Sequence, residues 1–147
     1  MEWRTVHAKD VRQPTQRMMP TWKKPEIGWV KANADGAMTK SKMVGAGGVV
    51  LRDCHGEFLA GACHFFPAVV DREVAQLQAC CRAIVLAQEL NVQKLILETD
   101  SKEAVRKLVE VNKDFSRTGH LVQEIKALLR GVQEHRVIYG FVGVRIK

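Results

Sequence analysis

The sequence predicts an α/β domain in which a five-stranded mixed sheet is flanked by helices. Three observations carry that expectation. Gly28–Ala37 (GWVKANADGA) alternates Val30, Ala32 and Ala34 with Trp29, Lys31, Asn33 and Asp35, the period of two that places one set of side chains on each face of a sheet. Two more strand-like stretches follow, joined by a short segment of turn composition. The next apolar strand is then reached only through a long helix, the connection that a parallel strand requires.

Taken in order, residues 1–27 are polar and basic, contain Pro14, Pro20 and Pro25, and show no sustained periodicity. They read as a flexible basic arm, either an ordinary solvated leader or a source of non-specific phosphate attraction through Arg4, Lys9, Arg12, Arg17, Lys23 and Lys24. Residues 28–147 form the folded domain. In its first strand the small face (Ala32, Ala34) suits a helix lying close over it. Asp35 belongs to the other face and is followed by Gly36. This pair has two readings: hairpin-turn chemistry, or a carboxylate held inside a strand for something that satisfies it, such as a metal ion or backbone donors.

Gly45–Arg52 and Glu57–Phe66 flank Asp53-Cys54-His55-Gly56 and read as an antiparallel hairpin. With the first strand they make a meander. Gly45, Gly47 and Gly48 match no nucleotide-binding fingerprint. Asp71 is a good N-cap for a helix over Arg72–Leu90, in which Leu77, Cys81 and Ile84 recur at helical spacing beside a small-residue set of Cys80, Ala83 and Ala87. Asn91 suits a left-handed C-cap. Val92–Thr99 is the fourth strand, parallel to the first. Asp100 with Glu103 forms a capping-box pattern opening a helix to about Val111; capping and catalysis are both open to Asp100. A third helix spans Thr118–Arg130 with Gly131 as its stop, and His135–Val144 is the fifth strand.

Composition excludes several classes. The chain has 147 residues, 46% hydrophobic and 27% charged, the profile of a single globular domain with a real core. No apolar run approaches a membrane span, and the start MEWRTVHAKD has no signal-peptide core, so no membrane is expected and cytosol or nucleus is the expected compartment. Cys54, Cys63, Cys80 and Cys81 match no zinc spacing and read as reduced thiols; His7, His55, His64, His120 and His135 are scattered. A net charge of +7 is compatible with a polyanionic partner.

The element order, with one Asp inside the first strand and another ending the fourth, resembles the ribonuclease H fold. More narrowly, it is similar to the plant ribonuclease H-like domain related to retrotransposon reverse transcriptases. The segments that carry the likeness are GWVKANADGA (28–37), GAGGVVLRDCHGEF (45–58), AQLQACCRAIVLAQEL (75–90) and LETDS (97–101). The resemblance implies cleavage of the RNA strand of an RNA–DNA hybrid by two Mg²⁺ ions held by four carboxylates, because two divalent cations clamping a phosphodiester need that much negative charge.

Carried over residue by residue, the first carboxylate falls on Asp35 and the third on Asp100, the expected metal ligands. The second is Glu in the family but here is Gln76, which offers an amide oxygen and no charge. Glu73, one helical turn earlier, is a possible substitute. The fourth belongs on a helix after the fifth strand, where this chain reads GFVGVRIK. Lys31, Lys40, Lys42 and Arg52 are the expected phosphate contacts, and Trp29 reads as packing rather than base stacking.

The expectation is thus a ribonuclease H-like domain that binds RNA–DNA hybrid or RNA, holds Mg²⁺ weakly or not at all, and cuts weakly or not at all. Two alternatives accompany it. One is a protein-interaction or homodimerisation module, built on a sheet region left open around Val137, Ile138, Phe141, Val142 and Val144. The other is an active Mg²⁺-dependent hybrid ribonuclease that uses Glu73.

Overall fold

Ala32, Ala34, Val49, Leu51, Ala60, Ala62, Leu95 and Leu97 alternate along four neighbouring strands and make one apolar sheet face, against which the helices close the core. The computed structural model describes residues 3–8, 22–39, 44–66, 71–113 and 115–140. Its elements are β1 (Arg4–His7), β2 (Val30–Thr39), β3 (Val44–Arg52), β4 (Phe58–Phe66), α1 (Arg72–Glu89), β5 (Lys94–Thr99), α2 (Lys102–Val109), α3 (Gly119–Arg130) and β6 (Glu134–Tyr139). They form one sheet in the order β1-β4-β3-β2-β5-β6. β2, β3 and β4 are an antiparallel meander, and β5 and β6 run parallel to β2.

The small residues of β2 and β4 let α1 approach closely. Leu77, Ala79, Cys80, Ala83, Ile84, Leu86 and Ala87 of α1 are fully buried, joined by Val122, Ile125 and Leu129 of α3 and Leu108 of α2. Each fully buried Leu or Ile contributes about 2–3 kcal/mol. At the start of α1 the Asp71 carboxylate accepts from the Glu73 N–H at 2.8 Å. At its end Asn91 takes φ 57°, as its position predicted. The β3–β4 turn is held by the Asp53 carboxylate, which accepts from the His55 and Glu57 N–H groups, and by Gly56 at φ 79°.

Four expectations are corrected. The sheet has six strands, not five, because Arg4–His7 pairs antiparallel with β4 in register Arg4↔Cys63 to His7↔Ala60. A four-residue edge strand has too little pattern to be read without its partner. Asp35-Gly36 is no turn: β2 continues through it, paired Asp35↔Gly48 and Gly36↔Gly47. The cap of α2 is Ser101, whose hydroxyl accepts from the Ala104 N–H at 3.1 Å, so Asp100 is not spent on capping.

The fourth correction concerns the arm, since Trp22 and Pro25 are buried and residues 22–29 lie against the sheet face opposite the helices. There the Trp22 indole N–H donates to Asn33 Oδ1 (2.9 Å), the Asn33 amide donates to Glu98 Oε1 (2.7 Å), and Lys31 Nζ reaches the Lys23 carbonyl (2.6 Å) and Glu98 (3.4 Å). Arg136 of β6 stacks over the Trp29 ring at 4.4 Å and pairs with Glu26. This strap covers part of the sheet face that the sequence left open. Val137 and Ile138 are half-buried; Phe141, Val142 and Val144 lie outside the described residues. Among the described residues no helix is long and apolar enough to cross a membrane.

Candidate active site

Parallel pairing of β2 with β5, in register Ala34↔Thr99, carries Asp35 and Asp100 one step further along their strands to neighbouring positions. The two carboxyls share a hydrogen bond, and burial, reinforced by the Asp100 charge and that bond, pushes Asp35 from its ordinary 3.8 up to about 6. The Gly36 N–H and the Arg72 guanidinium oppose the shift. Asp100 Oδ1 is buried without a hydrogen-bond partner. A buried acceptor left unmatched beside a second carboxyl is a donor set suited to a hard cation.

α1 delivers Gln76 to the same corner. Gly36 makes this possible: a Cβ there would lie 2.8 Å from the Gln76 backbone nitrogen and 3.0 Å from the Ala75 carbonyl carbon. The first turns of the helix therefore rest directly on β2 beside Asp35, and Gln76 is buried.

Glu73 does not join this group. Its carboxylate pairs with buried Lys107 of α2, accepts from Thr118 Oγ1 at 3.2 Å and meets Arg117 at 3.3 Å. The substitute role expected for it is corrected on that ground: Glu73 ties α1 to α2 and to the start of α3. Among the described residues no set of three His, Cys, Asp or Glu side chains converges on a metal-sized site. Asp35 and Asp100 are the two carboxyls that this corner brings together.

The expected phosphate contacts fare worse. Lys31 and Arg52 face each other across β2 and β3, and both are inside, 5% and 8% exposed. Lys31 neutralises Glu98, while Arg52 donates to the Gly56 carbonyl at 3.2 Å. Burial lowers the Arg52 pKa. They are corrected to structural residues; Lys40 and Lys42 lie outside the described residues. All four cysteines are free, and burial pushes the Cys80 thiol up to about 12, which leaves it unreactive.

Sequence reasoning missed Asn33, Glu98, Trp22 and Lys107. Asn33 and Glu98 are directly opposite one another in register and lock β2 to β5 two residues below the carboxyl pair. The available signal was their place on the strand faces opposite the one that carries Ala32, Ala34, Leu95 and Leu97.

A mixed sheet with one Asp midway along β2 and a second just past the end of the adjacent parallel β5, and a helix N-terminus resting beside them, defines a ribonuclease H-like domain. Solved structures agree on the fold. Ribonuclease H1 of the halophilic archaeon Halobacterium salinarum superposes with TM-score 0.67 at 20% identity, over 76% of this chain and 85% of that one. The N-terminal ribonuclease H domain of a Mycobacterium tuberculosis protein gives 0.69 at 18%, over 76% and 81%. LC11-RNase H1, solved in complex with an RNA/DNA hybrid, gives 0.66 at 18%, over 76% and 84%.

Residues 33–140 match the reverse transcriptase-like family, and the chain belongs to it. An Arabidopsis thaliana protein provisionally described as a ribonuclease H protein is 34% identical over 98 residues, 65% of this chain. The match spans only 15% of that relative's length.

Proposed function

We propose that the chain is a nucleic-acid-binding ribonuclease H-like domain, taking RNA–DNA hybrid or RNA, whose carboxylate site is incomplete and whose hydrolysis is weak or absent. The observation that carries the reading is the Asp35–Asp100 pair, set beside Gln76 where the family pattern has Glu, with Glu73 engaged by Lys107. Binding is supported by family membership, by the hybrid complex of a structural neighbour, and by the net charge of +7.

Asp35 and Asp100 would hold one Mg²⁺, which when bound supplies positive charge to phosphodiester oxygens. The protein's own contribution is to position the pair. Asn33 and Glu98 hold the strands in register, and Gly36 admits α1. Because Asp35 takes up a proton near pH 6, cation and proton compete for the same oxygens. The reading in which Glu73 completes an active nuclease finds no support in its partners.

A labelled RNA–DNA hybrid incubated with the protein in Mg²⁺ and separately in Mn²⁺, with retention and cutting scored together, tests this. Salt-sensitive retention with little or no cutting is expected. Absence of retention overturns nucleic-acid binding, and Asp35-dependent turnover in Mg²⁺ overturns the loss of hydrolysis.

A further inference from the structure

Two exposed cations flank the carboxyl corner. Arg72 and Lys102 are the first residues of α1 and α2, and both helices begin there: α1 rests on β2 at Gly36, and α2 opens two residues after Asp100. Among the described residues neither is ion-paired with a carboxylate. The neighbouring cations of α2 and of the approach to α3 are engaged already. Arg106 pairs with Glu103 and Glu110, Lys107 with Glu73, and Arg117 with Asp71 and Glu73.

Each stands near a different carboxyl. The Arg72 charge acts on Asp35, opposing the effect of burial, without pairing with it. Lys102 Nζ sits over the Tyr139 ring, 5.2 Å from its centre. Tyr139 ends β6 opposite Thr99, the residue before Asp100, and the Gly140 N–H extends that pairing by donating to the Thr99 carbonyl at 3.1 Å. The ring is 39% exposed, so it presents Lys102 at the surface beside Asp100 rather than burying it.

A cation at the first position of a helix works against the macrodipole, so this placement does nothing for the helix itself. An anion bound beside it reverses the sign, because the helix N-terminus and the cation then attract it together. A phosphodiester strand is such an anion, and it passes this corner if one of its phosphates is to meet Asp35 and Asp100. Lys31 and Arg52 are buried and unavailable to it, whereas Arg72 and Lys102 are exposed.

We infer that Arg72 and Lys102 are phosphate contacts of the bound strand, Arg72 on the Asp35 side and Lys102 on the Asp100 side, with Tyr139 as the positioning residue that holds Lys102 in place. This rests on the nucleic-acid reading above and adds to it the residues that grip the strand.

The test is the affinity of the full chain for a labelled RNA–DNA hybrid in Mg²⁺, measured from about 50 to about 200 mM salt. Each phosphate contact contributes about one to the slope of log affinity against log salt. Arg72→Gln and Lys102→Gln should each lower that slope by about one, so that each variant loses about fourfold less affinity than the parent across this range. The double variant should lower it by about two. Lys94→Gln removes the same charge about 20 Å back along β5 and should leave the slope unchanged. Tyr139→Phe should behave as the parent, while Tyr139→Ala should match Lys102→Gln and add nothing to it when the two are combined. Circular dichroism checks that each variant is folded. Parent slopes in Arg72→Gln and Lys102→Gln, or an equal fall in Lys94→Gln, overturn the inference and leave the nucleic-acid reading standing. A parent slope in Tyr139→Ala overturns the positioning role. A parent chain that retains no hybrid overturns both readings.

Discussion

Asp35→Asn isolates the electrostatic cost of the carboxyl pair. In the folded chain Asp35 takes up its proton near pH 6 rather than at its ordinary 3.8, mainly because it is removed from water and next because Asp100 is beside it. The native state therefore binds the proton more tightly than the unfolded chain does. Stability is highest below about pH 4, falls as pH rises through the interval to 6, and is level above it. The whole interval corresponds to about 3 kcal/mol. Asp35 is only part-buried, so solvent screening reduces this to about 1–2 kcal/mol.

Asparagine carries no charge and still offers an N–H to Asp100. The variant should therefore be more stable than the parent by that amount at pH 7–8, a rise in Tm of about 3–6 °C, with the gap closing towards pH 4. Thermal unfolding followed by circular dichroism in EDTA across pH 4–8 measures both curves. Adding Mg²⁺ should narrow the gap, because only the parent keeps both ligands and gains stability from the ion. A gap that does not change with pH, or a parent that is the more stable at neutral pH, would refute the reasoning.

Gln76→Glu restores a third acidic group beside the pair. A further negative charge beside the pair should raise Mg²⁺ or Mn²⁺ affinity about tenfold or more and lower the stability of the metal-free chain, read by titration calorimetry and by Tm in EDTA. Glu73→Gln removes one partner of the part-buried Lys107 pair and should cost about 2–3 kcal/mol in urea unfolding, while leaving Mn²⁺ affinity unchanged; a loss of Mn²⁺ affinity would return Glu73 to the metal site. Trp22→Ala should cost about 3–5 kcal/mol, and Trp22→Phe about 1–3 kcal/mol because Asn33 Oδ1 loses its donor. A neutral result at Trp22 would mean that the strap is not part of the folded unit.

Asp35 illustrates how far the sequence reached. The alternation that put Asp35 opposite the Ala32 and Ala34 face was legible, but whether Asp-Gly turned the chain or stayed in a strand depended on the pairing of Gly36 with Gly47. Asp100 was legible as a residue at the end of a strand, but its freedom from capping depended on Ser101 taking that bond.

What the sequence by itself determined was local and periodic. Strand alternation, helical spacing in α1, the Asp71 and Asn91 caps and the β3–β4 turn all follow from neighbours within a few residues, so the α/β class and the candidate carboxyls could be read directly. Only the tertiary structure decided the rest, because burial and pairing join residues far apart in the chain. Glu73 looked available until Lys107, 34 positions later, was seen beside it. Lys31 and Arg52 looked like surface cations until Glu98 and the Gly56 carbonyl were found inside with them. Trp22 looked like part of a loose arm until Asn33 was found accepting its indole proton. A charged or polar side chain reports its own chemistry, but its role is set by the partner that makes burying it affordable.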